Sequence, residues 1–452
     1  MKTLPLSRKG FASGCCLFLA LGALLLIIGG VVFYFAVWRV PDYSIEARQA
    51  VERVESRLAE KSRIEDENNG WKYYQEAAVK MDFSSLEQKG DSSPAGSENH
   101  SQKITRLTEI ATKGPGPEQK KQLKEFFENN TESLELSARG FMALGFFNVP
   151  AGFDFDPVNP GNPSSNVENE LKIQALGYFL LISGMMESSS EQYLGAARRY
   201  MESIRLYENY RGSFSGLVGI AQKSYGMMAW EKLAALMNRD DLPGEVVDFV
   251  SANLWRIAPE PMEYQLDYHF YANEMMMDQV IKSPQLNTAA FLLERERKVS
   301  RGLMIKVLEE YRKDPVAFPD TVKSMKPGKL SIYEALACRY LEGLCHTAYN
   351  RQTYYNGLMI MTALHKYRRD YGSYPDKLSQ LTPGYLSEIP ADPYDSEGSF
   401  GYEKSGDGVL LYSSGPNHQD DKGKGDDIIL MGKSKTDTDS ENRNDPEDPH
   451  DD

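Results

Sequence analysis

Cysteine is scarce in this chain, with four in 452 residues, and its placement excludes a disulfide framework. Cys15 and Cys16 open an apolar run, and Cys338 and Cys345 lie seven apart in a helical pattern. Seven helical residues span ~10 Å along the axis, beyond the Cα reach of a disulfide. Buried free thiols are therefore expected. Positive charge is also short: 51 Lys and Arg against 65 Asp and Glu leave a net charge of −14. A nucleic-acid binder needs a basic face for phosphate, so that class is excluded. Phosphate loop, dinucleotide fingerprint, kinase signature and the HExxH pair of zinc peptidases are all missing. No 34-residue period supports a tetratricopeptide array.

What is present is ordinary folded-protein composition, 41% hydrophobic and 26% charged, with length for two or three domains at ~150 residues each. Residues 14–38 form an uncharged apolar run, long enough for a bilayer core, which takes ~20 residues. No small-residue cleavage site follows it. Lys2, Arg8 and Lys9 precede it, so the positive-inside rule leaves residues 1–13 in the cytoplasm and sends the chain from Asp42 across the membrane. A single-pass anchor in a bacterial inner membrane, with the bulk periplasmic, is the expectation. Arg8-Lys9-Gly10-Phe11 is similar to a type IV prepilin cleavage site, but Cys15 stands where prepilins carry glutamate.

Residues 42–349 read as an extracytoplasmic helical body. Glu, Arg, Ala and Lys dominate from Tyr43 to Met81, which suggests one or two helices. Residues 82–102 are a polar, mobile loop. Helical pattern resumes from Lys103 to Phe147, broken by Gly-Pro-Gly-Pro at 114–117. In the main block, Leu194, Ala197, Met201, Ile204 and Tyr207 make one apolar face. Leu217 to Met237 is apolar nearly all round and should be buried. Asp240 and Asp241 are expected to cap a new helix, with further helices over 262–281, 288–312 and 331–349. The expected fold class is mainly α: a bundle or solenoid-like body followed by a small α+β module.

Three features of the body invite chemistry. Asp267, His269, Glu274 and Asp278 share one helix, but His269 and Glu274 are five apart and off one line. A solvated or core-satisfied set is the simpler reading. Cys338, Cys345 and His346 lack the tight spacing and fourth ligand of structural zinc. Gly212 to Gly216 is similar to a nucleophile elbow only in its glycines, which flank Phe214 and not a serine. Met275 to Met277 and Met359 to Met361 suit gap-filling core, with a pliable partner groove as the alternative.

The pattern changes over residues 351–431. Ile360, Leu364, Tyr367 and Tyr371 line a last helix that closes at Gly372. Phe400–Glu403 and Val409–Ser413 read as a hairpin, and Ile428–Met431 as a third strand. Between the strands lies an acidic, glycine-rich loop. Asn417, Asp420, Asp421, Asp426 and Asp427 supply hard oxygens, while Gly415, Gly423 and Gly425 let the backbone curl. Carboxylates gathered so closely repel without a cation, so the loop either binds Ca2+ or is fully solvated. His418 needs no role in such a site. Residues 433–452, with eight acidic and three basic residues, read as a solvated, disordered tail from about 432.

The runs ALHKYRRDYGSYP, LSQLTPGYLSEIPADPYDSEGSFGYE and LLYSSGPN…DDI together resemble the C-terminal half of the major pseudopilin of type II secretion systems. That resemblance implies a calcium-binding final loop, with the Ser414 carbonyl, Asn417, Asp420 or Asp421, and Asp426 or Asp427 as ligands. The whole chain resembles uncharacterised membrane-anchored helical bacterial proteins with a pseudopilin-like end, which implies an architecture and no activity. About 310 residues separate Trp38 from the last helix, whereas a pseudopilin runs its membrane helix straight into the module. The resulting expectation is an anchored, non-enzymatic scaffold or binding protein, with a protein partner on the helical body, no identified small-molecule substrate, and a link to secretion or pilus-like machinery. The alternatives are a membrane-bound hydrolase with a site around His269 and Glu274, and a processed pilus subunit beginning at Phe11.

Overall fold

The fold is that of a computed structural model, which describes residues 44–86, 100–145, 165–210, 216–282, 290–325 and 332–432. These residues are mainly helical. The thirteen helices are α1 Ser44–Lys61, α2 Gly70–Lys80, α3 His100–Lys113, α4 Pro117–Asn129, α5 Thr131–Met142, α6 Ser165–Ser189, α7 Tyr193–Asn209, α8 Gly216–Met237, α9 Gly244–Asn253, α10 Met262–Lys282, α11 Ala290–Lys313, α12 Phe318–Ser324 and α13 Ile332–Tyr371. A small antiparallel sheet follows, β1 Gly401–Ser405, β2 Gly408–Ser413 and β3 Ile428–Met431, in the order β1-β2-β3. Among the described residues no helix is long and apolar enough to cross a membrane. The expected anchor at 14–38 lies outside the described residues, as do the acidic tail from 433, most of the polar loop at 82–102 and residues 212–215 of the glycine pair around Phe214.

Local sequence accounts for most boundaries. Pro117 begins α4, where its missing N–H is no loss, and the Gln119 side chain accepts from the Gly116 N–H at 2.9 Å. The Asn69 side chain accepts from the Trp71 N–H at 3.1 Å and so caps α2. Asp240 and Asp241 do not cap α9 as expected. Pro243 holds that position without a side-chain cap bond. Asp241 instead takes two hydrogen bonds from Arg239.

The largest departure from expectation is α13. The helices expected at 331–349 and from 351 onward are one continuous element of 40 residues, ~60 Å long at 1.5 Å per residue. Nothing between Tyr349 and Arg351 interrupts it, because this stretch carries neither proline nor glycine. It ends at Gly372, whose positive φ of 77° permits its N–H to bond the Arg368 carbonyl at 2.8 Å.

Each half of α13 belongs to a different core. Leu341, Leu344, Cys345, Ala348 and Tyr349 pack with apolar side chains of α1, α10, α11 and α12. Leu358, Ile360, Met361, Ala363 and Leu364 pack in a larger core built by α2 to α9 and the sheet. Leu411, Leu430 and Met431 of β2 and β3 lie in this larger core too. Gly357 is where sheet and helix touch, since a Cβ there would meet Leu430 Cδ1 at 2.5 Å. Between the two halves sits Arg351, which donates to Glu208 Oε2 on α7 at 2.7 Å and to Gln265 Oε1 on α10 at 2.5 Å. Glu208 Oε1 accepts from the Trp230 indole on α8 at 3.1 Å.

Arg351 and Glu208 are both buried, so removing one partner strands a charge. Glu208→Leu should therefore cost about 3–5 kcal/mol in urea unfolding. The pair Glu208→Leu with Arg351→Met should recover part of that loss, because no charge is then left alone.

Candidate functional site

The acidic loop between β2 and β3 is held at its root by Asp392, a residue for which the sequence suggests no role. Asp392 is buried and accepts from Ser413 Oγ at 2.8 Å, from the Ser414 N–H at 3.0 Å and from the Tyr394 N–H at 3.1 Å. Burial pushes its carboxyl above the ordinary range, and the three donors oppose that shift. Ser414, an expected ligand through its carbonyl, is thus fixed by its N–H to Asp392.

Beyond this root the loop curls on itself. Positive φ values at Gly415, His418, Lys422, Gly423 and Gly425 make the curl. A Cβ at Gly415 would overlap the Asp426 carbonyl, so the two ends of the loop touch backbone to backbone. Asp427 accepts from the Gly423 N–H at 2.7 Å and the Asp421 N–H at 3.4 Å. Asp420 accepts from the Tyr412 hydroxyl at 2.8 Å and the Lys422 N–H at 2.9 Å. Asn417 donates to Asp421 Oδ2 at 2.9 Å and accepts from the Gln419 N–H at 2.7 Å.

Of the six expected ligands, Asn417, Asp420, Asp421 and Asp427 are thus bound into one hydrogen-bonded turn, while Asp426 enters it through its backbone. Burial first, and then the charges of Asp421 and Asp420, push the Asp427 carboxyl upward. The donor chemistry is that of a hard cation site: carboxylate and amide oxygens on a curled backbone. Among the described residues, however, no three His, Cys, Asp or Glu side chains are grouped as a metal site.

His418 has a place that sequence did not foresee. Its Nδ1 lies 2.7 Å from the Tyr394 carbonyl, and its Nε2 lies 3.8 Å from Asp320 Oδ2 at the start of α12. The imidazole therefore packs the loop onto the Asp392–Tyr394 segment and toward the body.

The carboxylates of the second candidate cluster are committed to basic side chains. Asp267 accepts a two-pronged contact from Arg53 of α1, at 2.8 and 2.7 Å. Glu274 is buried between Arg297 and Arg301 of α11, with contacts of 3.1, 3.0 and 2.8 Å. Asp278 pairs with Lys282 at 2.6 Å. The arginine contacts join α10 to α1 and α11. His269 and Glu274, five apart, point about 140° from each other around α10. Arg297 and Arg301 occupy both carboxylate oxygens of Glu274, which leaves it committed to packing and not free for a substrate. The Cys345 thiol is buried and pushed up to about 12 by that burial, which removes the thiolate needed for nucleophilic or metal chemistry.

Sequence reading also missed a buried carboxylate on α7. Glu202 is fully buried, shares Arg199 with Glu187, and leaves Oε1 without a hydrogen-bond partner. The α7 run reads as a simple amphipathic helix, so no periodicity marks the position as unusual.

Comparison with protein-family models, with curated proteins and with solved structures finds no match.

Burial raises the Glu202 carboxyl to about 6, against its ordinary 4.5, with Arg199 opposing the shift. Between those two values the folded chain binds more protons than the unfolded chain, so stability falls as pH rises. Glu202→Gln should flatten the loss of Tm between pH 4.5 and 7.5, as read by thermal melting of the two proteins across that range.

Proposed function

We propose that this chain is a membrane-anchored, extracytoplasmic scaffold or binding protein whose C-terminal module is pseudopilin-like and calcium-stabilised. The carrying observation is the continuity of α13, one 40-residue helix whose ends serve two cores and the sheet. A rod of ~60 Å with a sheet fixed beside it suits presentation of surfaces at set distances. The order long helix, wrapped loop and three antiparallel strands is consistent with the resemblance to the type II secretion pseudopilin. A link to secretion or pilus-like machinery rests on that analogy alone.

Calcium is part of the same proposal. Asp420, Asp421 and Asp427, with Asn417, would hold the ion and the Ser414 carbonyl lies at the loop's entry. The ion would supply charge neutralisation for a loop in which burial, and then the charges of Asp421 and Asp420, push the Asp427 carboxyl upward. The loop then acts as a clip for β2 and β3 and has no part in a reaction.

Two measurements test the reading. Chelation should lower the Tm of the full chain, and Asp427→Asn should abolish the difference between calcium and chelator. Equal Tm with calcium and with chelator in the unmodified protein defeats the calcium claim. For the scaffold claim, His269→Ala and Glu274→Gln should each leave partner capture from native membranes unchanged. A hydrolytic activity that co-purifies with the chain and disappears in His269→Ala would replace the scaffold with an enzyme.

A further inference from the structure

Buried Arg351 faces a carboxylate, but Arg205 and Arg256, which meet at the end of α5, face backbone carbonyls instead. Arg205 on α7 is 3% exposed and donates to the carbonyls of Phe141, Ala143 and Gly145. Arg256, just beyond α9, donates to the carbonyls of Phe141, Met142 and Ala143 at 3.2, 3.0 and 2.8 Å. Both guanidiniums lie within 6 Å of the Phe141 ring, at 5.9 and 5.8 Å. A third, Arg198, stands 5.6 Å over Phe249, which packs 6.3 Å from Phe141. Among the described residues none of the three has a carboxylate within ion-pair distance.

The carbonyls at the C-terminal end of α5 carry partial negative charge and satisfy hydrogen bonds. They cancel no full charge. Arg205 Nε remains buried without a partner, and burial, with Arg256 adding to it, pushes this guanidinium down to about 10. A chain with net charge −14 thus keeps three positive charges together on one aromatic pair.

The surface beside them is apolar. Trp255 is 53% exposed and stacks on Arg256 at 4.3 Å, while Met142 is 54% and Leu144 70% exposed. Tryptophan, methionine and arginine are the side chains that protein interfaces favour at their energetic centres. Arg205 is sealed beneath the carbonyls, so an anion can reach only Arg256 and Arg198. A carboxylate arriving there brings its flanks against Trp255, Met142 and Leu144.

We infer that this face, formed by the end of α5, α7 and the turn after α9, binds a protein segment carrying carboxylates beside large apolar side chains. The inference deepens the scaffold reading by naming the chemistry of a partner.

The test uses the full chain in phosphatidylcholine nanodiscs and a fluorescein-labelled peptide of alternating aspartate and phenylalanine, followed by anisotropy. The unmodified chain should bind it, and Arg198→Gln and Trp255→Ala should each weaken binding tenfold or more while leaving the Tm unchanged. A matching lysine–phenylalanine peptide should not bind, and raised salt should weaken the acidic one. Absence of binding by the unmodified chain, or equal binding by both variants, overturns the inference. Displacement of the peptide by phosphatidylserine vesicles, or by self-association of the chain at higher concentration, overturns it in favour of a lipid or a second copy. Neither result touches the chelation and His269→Ala tests, so a failure here is separate from a failure of the scaffold reading.

Discussion

One buried ion pair, Arg351 with Glu208, sits where the architecture could come apart. Arg351 lies midway along α13, at the junction between the half packed with α1, α10, α11 and α12 and the half packed in the larger core. Its guanidinium reaches Glu208 in one direction and Gln265 in the other. An apolar residue there would pack against either side without preference. A planar fork with fixed donors accepts only one arrangement of α7, α10 and α13. The pair costs desolvation, and its return is orientation rather than net stability. The Trp230 indole on Glu208 extends that constraint to α8. The two cores are therefore set relative to one another by directional contacts, while apolar burial fills each of them.

The second core repeats this logic at smaller scale. Arg53 with Asp267, and Arg297 and Arg301 with Glu274, tie α10 to its neighbours. Arg57 and Lys61 of α1 both reach Glu260, the residue two before α10 begins. Acidic groups that looked like candidate chemistry along α10 are therefore the partners that orient its packing. The loop at 414–427 uses its acids differently. There the carboxylates accept backbone N–H groups and hold a curl that has no secondary structure of its own. One site spends charge on helix orientation and the other on loop shape.

Much of this was readable beforehand, and the failures share a cause. The strands at 401–405, 408–413 and 428–431 follow from short apolar and aromatic runs and from glycine at the turn, which are local signals. The helix breaks at Gly114–Pro117 and Gly372 are local as well. The continuity of α13 was missed because its apolar positions change face between Tyr349 and Leu358, as one core gives way to another. A periodicity search reads such a change as a boundary. Asp392 and Glu202 were missed for the same reason. Asp392 takes two of its donors from distant Ser413 and Ser414, and the Arg199–Glu202 pair, three residues apart on one helix face, reads in sequence as an ordinary surface pair. The loop residues Asn417, Asp420, Asp421 and Asp427 were legible as a group because their chemistry is contiguous.

How an arginine is satisfied decides what it does to its surroundings. Where a carboxylate answers it, as at Arg351 and Arg301, the pair is close to neutral and projects little field. Where carbonyls answer it, as at Arg205 and Arg256, the hydrogen bonds are made but the charge remains. Screening limits that field to ~8 Å at physiological ionic strength. Beyond that range a partner meets a predominantly negative protein; within it, the partner meets guanidiniums backed by Trp255, Met142 and Leu144. Long-range attraction therefore contributes little to capture of an acidic segment at this face, and apolar contact must hold the encounter until the local charges engage. Selectivity then depends on carboxylate and apolar groups arriving together. A purely acidic chain is repelled before contact, and a purely apolar one leaves the guanidiniums unanswered.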